Sequence, residues 1–455
     1  MKDYENYSKE LLKINPSLRF IFGFRDKFTL SHYENSLSDE YFEQMNKIIN
    51  KYRDSNDIEL QKEIYSIDIF MNNKLYLLLF ASQENFILLF NYANDFIYPK
   101  NDLFKNSRIN DFDNFINTII IRAREGLKLK ITYPKIIIKK FLNQIKNLEK
   151  YKKLYSFIKK EYYIHCRTDI GLCYIPNGKE IYSQVIKEYI GFLTLTPQEI
   201  HNKGISLIEN KNKNKNKNKN KNTYESEKEL YNDCINYSRY IYDTIIEQYF
   251  HYKMDKPFQI ESIPIELRDS SPLAYYNNIE QKIFINFSYY YEITKQEIYS
   301  LLMHECFHYY HYEFIKFYKI PKYKIYLYSN IALVEGFAHY METYCEDYND
   351  NNTNVLLRKL RLVLDTGINY YGWTYKQSYN YMNKYLPNRK IDNINEIDRC
   401  ICTPGYSLSY LIGKLHIIKL RDSYLKSGGN IKDFHHKLLI NGIPSFETID
   451  KYLHP

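Results

Sequence analysis

Glycine and proline are scarce, 14 and 13 among 455 residues. A chain so poor in turn residues, with long amphipathic runs between them, points to a mainly helical protein. Cysteine supplies no framework either. There are seven, an odd number with no Cys-x-x-Cys, and Cys400 and Cys402 form the one close pair. That pattern argues against a disulfide scaffold and suits reduced thiols in a cytosol. The opening residues, Met1-Lys-Asp-Tyr-Glu-Asn-Tyr7, lack the apolar segment of a signal peptide, so a cytoplasmic location is expected. A membrane span is not expected. The most apolar stretch, Leu75 to Tyr98, is broken by Ser82-Gln-Glu-Asn85 and by Asn94-Asp95, and reads as a pair of buried helices. Nor is there a usable excess of charge. Lys plus Arg is 63 against 54 for Asp plus Glu, but six of those lysines lie in one Lys-Asn repeat, Lys211 to Asn222. Without them the balance is 57 against 54, or +3, which gives no case for a nucleic-acid surface. The 50 tyrosines, with abundant Ile, Asn and Lys, read as a coding bias, so a single tyrosine is weak evidence of function.

Residues 1–165 read as an N-terminal lobe of consecutive amphipathic helices. Tyr41 to Ile49 and Phe112 to Ile121 have helical spacing, and Pro134 is expected to open a helix over Ile136 to Leu148. Residues 166–455 read as a second lobe. Thr196, Pro197 and Glu199 form a helix start, and Tyr224 to His251 reads as a helix. Between these two, at about 210–224, the Lys-Asn repeat is expected to be a disordered insertion, because it has nothing to bury. Pro257 to Leu267 and Lys282 to Phe287 alternate like strands, with Ala274-Tyr275-Tyr276 between them, so a small sheet is expected there.

One stretch after that sheet carries chemistry, Ser300-Leu-Leu-Met-His-Glu-Cys-Phe-His-Tyr-Tyr-His311. It contains His304-Glu305-x-x-His308. On a helix, residues four apart share a face, one turn of about 5.4 Å apart along the axis. Two imidazoles so placed can grip one small ion, and Glu305 can reach a water on it as a general base. Thr294 and Glu297 read as a capping box that starts this helix, and Leu301, Leu302 and Phe307 allow its burial. A zinc site needs a third protein ligand and an open position. Glu335, 27 positions after His308 in Glu335-Gly-Phe-Ala-His-Tyr340, completes the His, His, Glu pattern of gluzincins. His339 and Glu342 follow one and two turns on, either to brace ligands or to pair with each other. Arg361 and Asp365 are four apart. They read as an ion pair, or as a carboxylate that orients a ligand histidine beside an arginine that takes a substrate carboxylate. Tyr410, in the first turn of a helix over Ser407 to Tyr424, is a candidate donor to an oxyanion.

Taken together these residues resemble the domain-of-unknown-function family 885. The resemblance runs through Glu125 to Pro134, Gly171 to Gly178, Leu195 to His201, Ala274-Tyr275-Tyr276 and His304 to His311. It continues through Glu335 to Tyr340, Arg361 to Ile368 with Gly372-Trp373, and Pro404-Gly405 to Gly413, in the family's order and over nearly the whole chain. Members look like helical zinc peptidases of the thimet oligopeptidase and Taq-type carboxypeptidase kind. The family usually reads His-Glu-x-x-Pro-Gly-His-His, which sets His308 on the proline and His311 on the last histidine. The resemblance therefore points to His311 as second ligand and helix geometry to His308. On a straight helix His304 and His311 are about 10.5 Å apart along the axis, too far to share an ion. His308 is the preferred ligand and His311 the substitute. Cys400 stands where the family tends to carry tyrosine.

The resulting expectation is two mainly helical lobes around a deep cleft, with a small β-sheet near a Zn²⁺ site formed by His304, His308 and Glu335. Glu305 and Tyr410 would be catalytic. His339, Arg361, Asp365, Tyr275 and Tyr276 would support ligands or bind substrate. The substrate would be a peptide or flexible chain end, with no nucleic-acid or membrane partner. The alternatives are hydrolysis of an ester or non-peptide amide, or a non-catalytic binding protein on the same helical shell.

Overall fold

The computed structural model describes residues 2–24, 37–80, 105–209, 223–278, 280–345, 348 and 353–454. The protein is mainly α, with one three-stranded sheet among the described residues. No described helix is long and apolar enough to cross a membrane. The chain divides into two compact units that interleave in sequence. The first comprises Met1–Ile186, Tyr326–Tyr328 and Leu364–Gly405. The second comprises Lys187–Ile325, Ser329–Val363 and Tyr406–Pro455.

The first unit follows its amphipathic patterns. In the helix Asp39–Tyr52, Met45, Ile48, Ile49 and Tyr52 are buried, a stripe at helical spacing, and the Ser38 side chain caps its start by accepting from the Tyr41 N–H. Phe112 to Ile121 lies within Lys105–Leu129. The Phe80 ring packs 5.4 Å from Phe141 and 5.0 Å from Tyr162, forming part of the core. The helix expected after Pro134 spans Lys135–Ile145, with the proline at its N-cap rather than inside its first turn. Pro134 is still extended, at ψ 153°, so the helical dihedrals begin one residue later. Of the Leu75 to Tyr98 stretch, residues 81–98 lie outside the described residues, as does the Lys-Asn repeat. The stretch opens in a 3-10 turn, Leu75–Leu77.

Among the helices of the second unit, four position the candidate site, here α1 (Lys295–Phe317), α2 (Ile331–Met341), α3 (Thr353–Asn369, which runs past Val363 into the first unit's segment) and α4 (Ser409–Lys426). Its sheet has strands β1 (Ile260–Ser262), β2 (Ala274–Asn277) and β3 (Lys282–Ile285) in the order β1-β3-β2. β1 runs parallel to β3 and β2 antiparallel to it, with Tyr275 opposite Phe284 and Tyr276 opposite Ile283. The strand expected over Pro257 to Leu267 shrinks to three residues, because prolines 257 and 264 lack the N–H a ladder needs and Ile265–Ser270 turns into a 3-10 helix. Ala274 to Asn277 is a strand in its own right.

α2 and α4 cross with their backbones in contact. A Cβ at Gly413 would lie 1.9 Å from the Ala332 carbonyl oxygen, and one at Gly336 would lie 2.6 Å from the Gly413 Cα. Glycine at both positions lets the helices approach more closely than side chains would allow, and this fixes Glu335 of α2 relative to the start of α4. Gly413→Ala is predicted to force the helices apart at a cost of about 3 kcal/mol, the upper end of ordinary overpacking. The denaturant midpoint should fall clearly; an unchanged midpoint would contradict the contact.

Candidate metal centre

α1 begins where the capping box places it. The Glu297 N–H donates to Thr294 Oγ1 at 3.3 Å and the Thr294 N–H to Glu297 Oε2 at 3.0 Å. The helix then runs unbroken through the motif to Phe317. His304 and His308 therefore keep their one-turn spacing, with rings perpendicular and Nε2 atoms 3.0 Å apart. From α2, Glu335 Oε2 lies 3.3 Å from His304 Nε2 and 3.4 Å from His308 Nε2. These three side chains are the group of possible metal ligands found among the described residues.

The donor set fits a small divalent ion. A tetrahedral ion with bonds of about 2.0–2.1 Å holds its ligand atoms about 3.3–3.4 Å from one another. The two separations to Glu335, 3.3 and 3.4 Å, match that spacing, and the 3.0 Å between the imidazoles is somewhat shorter. Tautomer chemistry agrees. His304 Nδ1 lies 2.9 Å from Glu342 Oε1, an atom that only accepts, so Nδ1 carries a proton and Nε2 is the nitrogen that would give its lone pair to a cation in place of a second proton. The three ligand atoms thus converge on one point. His308 and Glu335 keep 17% and 12% of their side-chain surface exposed, so the point is reachable from solvent.

A second layer of partners holds His304. Glu342 is fully buried and accepts from the Ser300 hydroxyl at 2.7 Å and from Arg358 Nη2 at 2.8 Å, as well as from His304. His339 Nδ1 lies 3.2 Å from the same carboxylate, and burial holds that imidazole well below its usual pKa, hence neutral. Burial alone would raise the carboxyl of Glu342, but Arg358 and the neighbouring histidines outweigh it and keep it ionised. Burial would likewise lower His304, yet its hydrogen bonds to Glu335 and Glu342 lift it to about 9. The same field that favours a proton there favours a metal cation.

The family model described as "Bacterial protein of unknown function (DUF885)" matches residues 147–453. The chain belongs to that family. The DUF885 chain is also similar in fold to two solved structures. One is the "putative lipoprotein" of Colwellia psychrerythraea, at 18% identity and a TM-score of 0.75, covering 99% of this chain and 97% of that one. The other is the "putative lipoprotein of unknown function" of Shewanella oneidensis, at 15% identity and a TM-score of 0.66, covering 100% and 99%. No curated protein matches the chain.

In this DUF885 chain His311 is not gathered with the other histidines. It is buried against Phe337, its Nε2 has no hydrogen-bond partner, and burial lowers its pKa to about 4. With no Pro-Gly break, α1 turns it away. Glu305 is also buried, and its Oε2 accepts the Tyr276 N–H of β2 at 2.9 Å. Tyr276 packs on Tyr309, and Tyr275 stacks across the sheet on Phe284. The Tyr410 ring lies nearly parallel to His304, 6.1 Å away, with the Arg361 guanidinium 4.8 Å from its centre.

Asp365 corrects a sequence expectation. The carboxylate that meets His304 is Glu342, at 2.9 Å from Nδ1. Asp365 Oδ1 instead accepts from the Tyr182 hydroxyl at 2.7 Å and the Gly405 N–H at 2.9 Å within the first unit. Sequence reasoning missed Ser300, Arg358 and Tyr406, whose hydroxyl donates to Glu335 Oε1 at 2.9 Å. Ser300 and His304 are four apart on one helix, which was a usable signal. Arg358 and Tyr406 come from other elements and gave none.

The arrangement predicts one divalent cation per chain. His304→Ala or Glu335→Ala should weaken zinc binding, measured by competition with a chromophoric chelator, by at least about 100-fold. His311→Gln should leave it within a few-fold. The reverse ranking would move the site to His311.

Proposed function

We propose that this chain is a zinc-dependent peptidase that cleaves peptides or flexible chain ends. The observation that carries this reading is the convergence of His304 Nε2, His308 Nε2 and Glu335 Oε2 within 3.4 Å of one another, with a buried carboxylate, Glu305, next in sequence to the first of them. Bound there, Zn²⁺ would polarise a carbonyl and lower the pKa of water to about 7.

The protein's own groups divide the remaining work. Glu305 has one oxygen held by the Tyr276 N–H, which aims the carboxylate and leaves Oε1 to take the proton of the attacking water and return it to the leaving amine. Tyr410, whose ring lies nearly parallel to His304 and within 4.8 Å of the Arg361 guanidinium, is the proposed donor to the developing oxyanion. Arg361 is suited to take a substrate carboxylate. The outer edge of β2 is the proposed seat of an extended substrate. The Leu273 carbonyl pairs with the Asn286 N–H, so alternation turns the backbone groups of Ala274 and Tyr276 away from β3. The seven free cysteines support a reducing, cytoplasmic location. The lipoprotein label of the two solved neighbours favours the opposite side of a membrane, and fractionation of cells that express the full gene separates the two.

Glu305→Gln tests the mechanism. The variant should retain zinc at wild-type stoichiometry and lose peptide hydrolysis by about 10²-fold or more. The assay should use blocked and unblocked peptides beside simple esters. Hydrolysis at the wild-type rate would overturn the role of Glu305, and turnover of esters alone would overturn the peptide assignment.

A further inference from the structure

We propose that Tyr406 is a positioning residue that confines Glu335 to a single metal-facing oxygen. This rests on the zinc reading above. A carboxylate has two equivalent oxygens and about four lone-pair directions, so an unrestrained Glu335 can swing or present both oxygens to one ion. Here the two oxygens are in different surroundings. Oε2 faces the two imidazoles, while Oε1 accepts the Tyr406 hydroxyl at 2.9 Å. Turning the carboxylate to offer both oxygens would break that bond.

The phenol is itself held. Tyr406 opens the 3-10 turn Tyr406–Leu408 directly ahead of α4, and its carbonyl accepts the Ser409 hydroxyl at 2.6 Å. Its ring packs edge-on against Tyr189 at 5.7 Å and Tyr410 at 6.0 Å. The glycine crossing of α2 and α4 sets the distance between the phenol's element and the carboxylate's. Hydrogen bonds to ligating groups characteristically set metal affinity by 10–100-fold.

The test compares wild type, Tyr406→Phe and Tyr189→Phe. Both changes keep the packed rings and remove one hydroxyl each. Zinc affinity is measured by chelator competition, and the visible absorption of the Co²⁺-substituted protein reports coordination number. Tyr406→Phe is expected to bind zinc about 10–100-fold more weakly and to show the weaker cobalt bands of a higher coordination number. Tyr189→Phe should match wild type in both. A Tyr406→Phe cobalt spectrum identical to wild type overturns the proposal whatever the affinity, as does a zinc affinity within twofold. Wild-type protein that binds neither metal one to one removes the zinc reading itself, a failure distinct from that of Tyr406.

Discussion

Three electron-rich atoms brought within 3.4 Å of one another repel unless positive charge lies between them. This constraint organises the second unit. It explains why His304, although buried, is driven toward the protonated form, and why burial does not neutralise Glu335. The carboxyl of Glu335 is kept well below the usual range, against its own desolvation, by hydrogen bonds from the two histidines. The three side chains accordingly form a cluster whose field favours positive charge, and the surrounding structure holds that cluster together.

Holding it requires both helix chemistry and close packing. The capping box and the absence of a break in α1 keep two imidazoles on one face. The Gly336 and Gly413 contact brings α2 against α4, so Glu335 is met from one side by the imidazoles and from the other by Tyr406. Glu342 and Arg358 add a buried ion pair beneath His304. Such pairs rarely stabilise a fold by themselves, since desolvation offsets most of the attraction. Their value here is orientation, because they fix the imidazole and its tautomer.

What the chain reveals before folding follows from the range of each interaction. The pair His304 and His308, the caps at Thr196 and Thr294, and the buried stripe of Met45, Ile48, Ile49 and Tyr52 depend on neighbours within a turn or two, and their spacing was readable. Glu335 was readable only because a preceding motif demanded a third ligand. Asp365 and Glu342 show the limit: each is one acid on a helix, and only tertiary packing decides that Glu342 meets His304 while Asp365 meets Tyr182. Tyr406 was hidden among 50 tyrosines, and the glycine crossing has no signature without the partner helix. Alternation over Pro257 to Leu267 overstates β1, because the two flanking prolines withhold the N–H groups a longer ladder needs.

X-ray absorption at the zinc edge of the zinc-loaded protein addresses the central claim most directly. The account predicts a first shell of nitrogen and oxygen at about 2.0–2.2 Å, with the multiple scattering of two imidazoles, lost on His304→Ala. A sulfur shell at about 2.3 Å, or a shell without imidazole, would show that the three side chains are not a metal site.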